Sequence, residues 1–186
     1  LGQRLVVQPG LRLSYLSSGG YAGADPRLAV RYQVAPGTFL KAAAGVYRQY
    51  LFSLARQFQG VSLLSSIWTV ADSTARPSRA LHYVAGAETR WAGLDVDSDA
   101  TLNDCDDLDE INYADKARPD LGDLLRRGPG RAYGVDLLVS KRAGRHDGWL
   151  SVSTGLSERT IAGLNLDGAG RACSFRSKFD RGLSVD

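Results

Sequence analysis

The stretch Arg27-Leu28-Ala29-Val30-Arg31-Tyr32-Gln33-Val34 decides the fold. Leu28, Val30, Tyr32 and Val34 share one parity, and Arg27, Ala29, Arg31 and Gln33 share the other. Successive side chains of an extended chain point to opposite faces, so this alternation is what a strand between two unlike environments requires. The pattern recurs from Arg131 to Arg142, where Tyr133, Val135, Leu137 and Val139 oppose Gly134, Asp136, Ser140 and Arg142, with Leu138 the one break. It recurs again from Trp149 to Thr160, where Leu150, Val152, Thr154 and Leu156 oppose Ser151, Ser153, Gly155, Ser157 and Arg159.

Weaker alternation covers Leu5–Leu16, Thr38–Leu51, Ala80–Trp91, Leu94–Leu102 and Ala172–Leu183. Together these segments predict an all-β chain, an antiparallel up-and-down meander of about eight long strands. Little helix is expected, and Asp120–Arg127 reads as a turn within a loop. Ala35-Pro36-Gly37, Trp91–Leu94 and Ala143–Gly148 read as short hairpin turns, whereas Ser17–Asp25, Phe52–Arg79, Asn103–Gly130 and Ile161–Arg171 read as long polar connections. Successive turns of a meander fall at opposite ends, so every long connection is expected on one side. Outer-membrane barrels have that asymmetry, and their strands cross the bilayer in about 9–11 residues.

The polar parity also carries Gly10, Gly45, Gly86, Gly134 and Gly155, which suits an inner wall lined by water or filled by a plug. Two other architectures share the alternation. A soluble binding β-sandwich exchanges inside for outside, and a self-contained eight-stranded membrane barrel with a structural or adhesive role would have the same strand count.

Composition narrows the function classes. The 186 residues, 44% hydrophobic and with a net charge of +3, suffice for one domain. The positive charge is spread along the chain without a block of basic residues, so a nucleic-acid partner is not expected. No apolar run approaches the roughly 18 residues of a membrane-spanning helix. The start Leu1-Gly2-Gln3-Arg4-Leu5 lacks the features of a secretory signal, and methionine is absent, so residues 1–186 are expected to be a single segment of a longer protein.

Candidate chemistry is sparse. Asp104, Asp106, Asp107, Asp109 and Glu110 offer hard oxygen ligands for calcium but lack the glycine and glutamate spacing of an EF-hand, and a solvated loop face is the expected reading. His82 and His146 belong to no metal-ligand spacing, and neither a Gly-x-Ser-x-Gly elbow nor a P-loop is present, so the sequence points to no enzyme, metal or cofactor. Cys105 and Cys173, 68 positions apart, are too distant in sequence for a zinc knuckle; a disulfide between them at the long-loop end and two free thiols both stay open. Trp91 and Trp149 beside short turns, and Tyr15, Tyr50, Trp68 and Tyr133 near the long connections, fit two interfacial girdles or ordinary packing.

The segment Asp25–Gln49, with Pro26-Arg27-Leu28-Ala29 and Leu40-Lys41-Ala42 on either side of a short turn, resembles a barrel hairpin of the TonB-dependent outer-membrane receptors. Ala80–Glu88, Gly130–Leu138 and Lys141–Ser157 with its Gly148-Trp149-Leu150-Ser151 are similar to further strands of that family, in the expected order. Phe179-Asp180-Arg181 resembles its closing strand, although Gly182 and Leu183 depart from the pattern, as does the acidic Leu94–Leu102. The resemblance implies part of a transmembrane barrel of about 22 strands. It further implies a bacterial outer-membrane location and uptake of a scarce nutrient, with siderophore, cobalamin, sugar and peptide all open. The implied partners are outer-membrane lipid, a plug domain belonging to the same protein, and the inner-membrane TonB complex. No plug, TonB box or aromatic C-terminal residue has a counterpart in these residues, so this segment alone is expected neither to close nor to transport. Lumen-facing contacts for plug or substrate are then expected at Arg31, Gln33, Lys41, Gln49, Glu88, Arg90, Asp136 and Arg142.

Overall fold

The computed structural model describes residues 4–54, 57–58, 61–62, 67–71, 76–111, 125–142, 146–177, 180 and 182–186. The strands are β1 (Leu5–Leu16), β2 (Tyr21–Ala35), β3 (Thr38–Gln49), β4 (Leu51–Leu54), β5 (Gln57–Phe58), β6 (Val61–Ser62) and β7 (Ile67–Val70). They continue as β8 (Ser78–Trp91), β9 (Leu94–Ile111), β10 (Leu125–Lys141), β11 (Gly148–Arg159), β12 (Phe175–Arg176) and β13 (Leu183–Val185). One antiparallel sheet runs β1-β2-β3-β8-β9-β10-β11-β12, with β13 also on β11. The pairs β4–β7 and β5–β6 form small hairpins within the connection from β3 to β8. Among the described residues there is no helix, and no ladder joins β1 to β12 or β13, so the sheet is open. A closed eight-stranded barrel would need that ladder.

Two of the expected hairpin turns form as read. The turn from β8 to β9 has Ala92 at φ 51° and Gly93 at φ 80°, the paired positive values that let a two-residue loop follow the twist of its strands. Gly37, at φ 75°, closes the turn from β2 to β3.

The ladders keep the alternation of every long strand in phase, because a slip of one residue would exchange the two faces. Gly10, Arg27, Gly45, His82, Asn103, Ala132 and Ser157 form one continuous cross-strand row. The adjacent row of opposite parity is Pro9, Leu28, Ala44, Tyr83, Leu102, Tyr133 and Leu156. All five glycines singled out from the sequence therefore share the polar face.

The other face is apolar and uncovered. Among the described residues the buried apolar side chains are Ala71 and Ile161, both outside the long strands. On the apolar face Leu13 is 73% exposed, Trp91 71%, Val135 52% and Leu150 49%. At the end of the sheet away from the short turns this band stops at charges: beyond Leu81, Leu102, Tyr133 and Leu156 the next residues of that parity are Arg79, Asp104, Arg131 and Glu158. Arg131 stands between Asp104 and Glu158 in register, with its Nη2 3.4 Å from Asp104 Oδ1. At about 3.3 Å per residue and a tilt of about 40°, the run from Leu81 to Trp91 is roughly 25 Å tall.

Several expected boundaries are corrected. The link Ser17–Asp25 is a four-residue turn, Ser17–Gly20, because Tyr21–Asp25 pairs with β1. Asn103–Gly130 is not one long loop: β9 continues to Ile111 and β10 begins at Leu125, so Leu125–Arg127 is strand, whereas residues 112–124 lie outside the described ones. Crossed arginine and carboxylate side chains hold this outer ladder, whose polar sequence reads as loop. Ala172–Leu183 does not form one strand; β12 and β13 are separate pieces on β11, with Arg176 opposite Glu158 and Ser184 opposite Ser153. Trp149 pairs with Ser140 and falls on the polar face, not in the apolar band. Tyr50 packs with Leu16 against Ala71 and shares a 2.6 Å hydrogen bond between its hydroxyl and Ser14 Oγ. The Trp68 side chain lies outside the described residues.

Candidate functional site

The polar face carries charges that reach across strands. Lys41 on β3 is in register with Gly86 on β8, which is in register with Asp99 on β9. A glycine at the middle position leaves room for the lysine stem to pass over β8. Lys41 Nζ then lies 2.6 Å from Asp97 Oδ1, 2.9 Å from Asp99 Oδ2 and 3.7 Å from Glu88 Oε1. Arg31 on β2 crosses β3 in the same way: its guanidinium stacks 3.5 Å above the Phe39 ring and its Nη2 donates to Glu88 Oε2 at 2.6 Å. One ion-pair network thus ties β2, β3, β8 and β9 together. Half-buried pairs of this kind set register as much as they stabilise, because each partner would be costly to leave alone.

The network borders a recess of about 410 Å³ near the short turns, with Phe39, Val96 and Leu138 as apolar wall and Arg31, Glu88, Arg90, Asp95 and Arg142 as charged wall. Arg90 Nε donates to Asp95 Oδ1 at 2.7 Å. The arrangement sets paired charges of both signs beside apolar surface.

Of the residues expected on the lumen side, the fold brings Arg31, Lys41, Glu88, Arg90 and Arg142 to this region. Gln33 lies on the same face, and its backbone N–H donates to the Arg4 carbonyl at 2.6 Å. Asp136 faces Asp99 directly across β9 and β10 but has no ion-pair partner among the described residues. Gln49 is not brought in; its Nε2 donates to the Leu51 carbonyl at the far end of β3. Asp95, Asp97 and Asp99 were missed. Their spacing of two, Asp95-Val96-Asp97-Ser98-Asp99, was the available signal: acids on every second residue belong to one face of a strand.

A second aromatic and basic group lies toward the opposite end. Arg27 stands 4.2 Å above the Tyr47 ring, and Tyr47 stacks on His82 with centroids 4.3 Å apart. Asp25 is fully buried, and its Oδ1 accepts a hydrogen bond from Arg48 Nη1.

The acidic residues 104–110 lie on β9, not in a solvated loop. Asp109 Oδ1 accepts from Arg127 Nε at 2.8 Å, Glu110 Oε2 accepts from Arg159 Nη1 at 2.7 Å, and a bulge at Asp107 (φ 56°) splits the carboxylates between the two faces. Burial pushes the Asp109 carboxyl up, with Arg127 pulling the other way. Among the described residues no three His, Cys, Asp or Glu side chains converge as a metal cage would.

Cys105 and Cys173 are free thiols, so the disulfide considered from the sequence is not formed. Cys105 pairs with Gly130, Gly130 with Arg159, and Arg159 with Phe175. Three strand spacings of about 4.8 Å separate Cys105 from the row of Phe175, well beyond the roughly 7 Å a disulfide tolerates. Cys173 lies a further two residues along the chain.

Comparison with family models, curated proteins and solved structures finds no match for this chain.

Proposed function

We propose that this chain is part of the wall of a large outer-membrane barrel, of the TonB-dependent receptor type, that takes up a scarce nutrient. In this reading the apolar face meets lipid, the polar face lines an enclosed interior, and a plug domain and the inner-membrane TonB complex complete the transporter. The observation that carries it is the uncovered apolar face, ending at Arg79, Asp104, Arg131 and Glu158. Each exposed Leu or Val forgoes roughly 1.5–3 kcal/mol of burial, so a face of such residues needs an apolar surrounding. A height of roughly 25 Å is what a hydrocarbon layer asks of a barrel. The open sheet favours a segment of a larger wall over a self-contained small barrel, because an unpaired strand edge is not tolerated in lipid.

Thiol labelling in membranes tests the proposal. With Cys105 and Cys173 replaced by Ser, Val135→Cys and Leu150→Cys are expected to react with a lipid-soluble maleimide and resist a charged one. Asp136→Cys and Ser153→Cys are expected to do the reverse. Equal reaction of all four with the charged reagent, or a chain that stays monomeric in water without detergent, would sink the reading.

A further inference from the structure

Arg27, half-buried on the polar face, has no carboxylate partner among the described residues. Its Nε is buried without a hydrogen-bond partner. Its guanidinium lies on the Tyr47 ring, and its stem passes over Gly45, where a Cβ would stand only 3.0 Å from Arg27 Cγ. The nearest acid along its strand, Asp25, is turned into the protein and bound by Arg48. Arg12 is exposed, sits opposite Asp25 in the β1–β2 ladder, and has no carboxylate partner among the described residues. Gly10 is directly opposite Arg27, so Arg12 and Arg27 are diagonal neighbours, about 7–8 Å apart between backbones. The only atom a Cβ on Gly10 would approach is Arg27 Cβ at 3.7 Å, so space is open between the two arginines.

An orphaned, partly buried guanidinium beside a second free one calls for an anionic partner. Elsewhere on this face Arg31 has Glu88, Lys41 has Asp97 and Asp99, and Arg90 has Asp95. We propose that Arg12 and Arg27 form a receptor for a multivalent oxyanion, a polyphosphate or polycarboxylate, seated over Gly10 beside Tyr47. Two guanidinium forks suit such a ligand because each presents parallel donors to a planar or tetrahedral oxyanion. This goes beyond the transporter reading and does not depend on it.

Calorimetric titration of the full chain in detergent micelles with pyrophosphate and with citrate tests the site, with strand content checked by circular dichroism. Saturable binding of at least one anion is expected. Arg12→Gln, at an exposed position, and Arg27→Gln are each expected to weaken it at least about tenfold, the worth of one charge-assisted hydrogen bond. Arg126→Gln, at an exposed position of β10, is expected to leave it unchanged. Absence of saturable binding by the unaltered chain overturns the proposal. So does wild-type affinity in both folded variants, or an equal loss in Arg126→Gln, which would mark diffuse attraction. The maleimide pattern of the apolar face is unaffected by either result, so the two readings fail separately.

Discussion

Lys41 Nζ lies 2.6 Å from Asp97 Oδ1 although β8 runs between their strands, and the lysine crosses that strand at Gly86. A Cβ at position 86 would stand 2.8 Å from Lys41 Cε and closer still to the Ser98 carbonyl and the Asp99 carboxylate. The lysine tip could move aside, but the carbonyl belongs to the β8–β9 ladder. Gly86→Ala is therefore expected to destabilise the sheet by about 1–3 kcal/mol, the usual cost of overpacking. Urea titration of the folded chain in detergent reads it, and an unchanged midpoint would show that the crossing is loose.

Removing the lysine charge is expected to hurt through what it leaves behind. Lys41→Met strands Asp97, Asp99 and Glu88 near one another with Arg31 as the remaining cation. The lysine side chain is 22% exposed, so the loss is expected at about 1–3 kcal/mol, below that for a fully buried pair. Asp99→Asn in the Lys41→Met background is expected to recover part of it. A double-mutant cycle with no coupling would contradict the network.

The two faces are expected to differ sharply toward inserted charge. If the apolar face meets lipid, Val135→Arg should cost about 2–4 kcal/mol of insertion, whereas Ser153→Arg on the polar face should cost little. The yield of membrane-assembled protein reads the difference, and equal yields would argue for water on both sides.

The loop after β11 is expected to loosen in acid. Asp167 accepts hydrogen bonds at its carboxylate from the backbone N–H groups of Arg171 and Ala169 and from Arg171 Nε. The Arg171 backbone bond above all holds its carboxyl below the usual range. A depressed carboxyl contributes stability that is present above the unfolded value, about 3.9, and lost as pH falls through the lower folded value. Amide exchange at Ala169 and Arg171, relative to its intrinsic rate, is expected to rise only below about pH 4. In Asp167→Asn that protection should no longer depend on pH.

The two thiols are expected to react in order. Cys173 is exposed, whereas Cys105 is half-buried beyond the charged rim, and burial pushes its thiol up, which lowers the thiolate fraction that reacts. Mass spectrometry after brief iodoacetamide treatment should find Cys173 modified first; the reverse order would mean that β9 opens near Cys105.

Much of the sheet was legible because alternation is a local property. Which residues share a face follows from parity alone, so Leu28, Val30, Tyr32 and Val34 oppose Arg27 and Arg31 whatever strand lies beside them. The turns at Gly37 and Gly93 were equally local, since glycine takes positive φ readily. Pairing is not local. Only the ladder places Lys41, Gly86 and Asp99 in one row, and only side-chain reach across that row makes partners of residues 56 and 58 positions apart. For the same reason the acidic run after Leu102 looked like loop: its arginine partners come from β10 and β11, and a strand held by charges from its neighbours carries no apolar signature of its own. The free cysteines belong to that class too, because the separation of Cys105 and Cys173 is a matter of intervening strands.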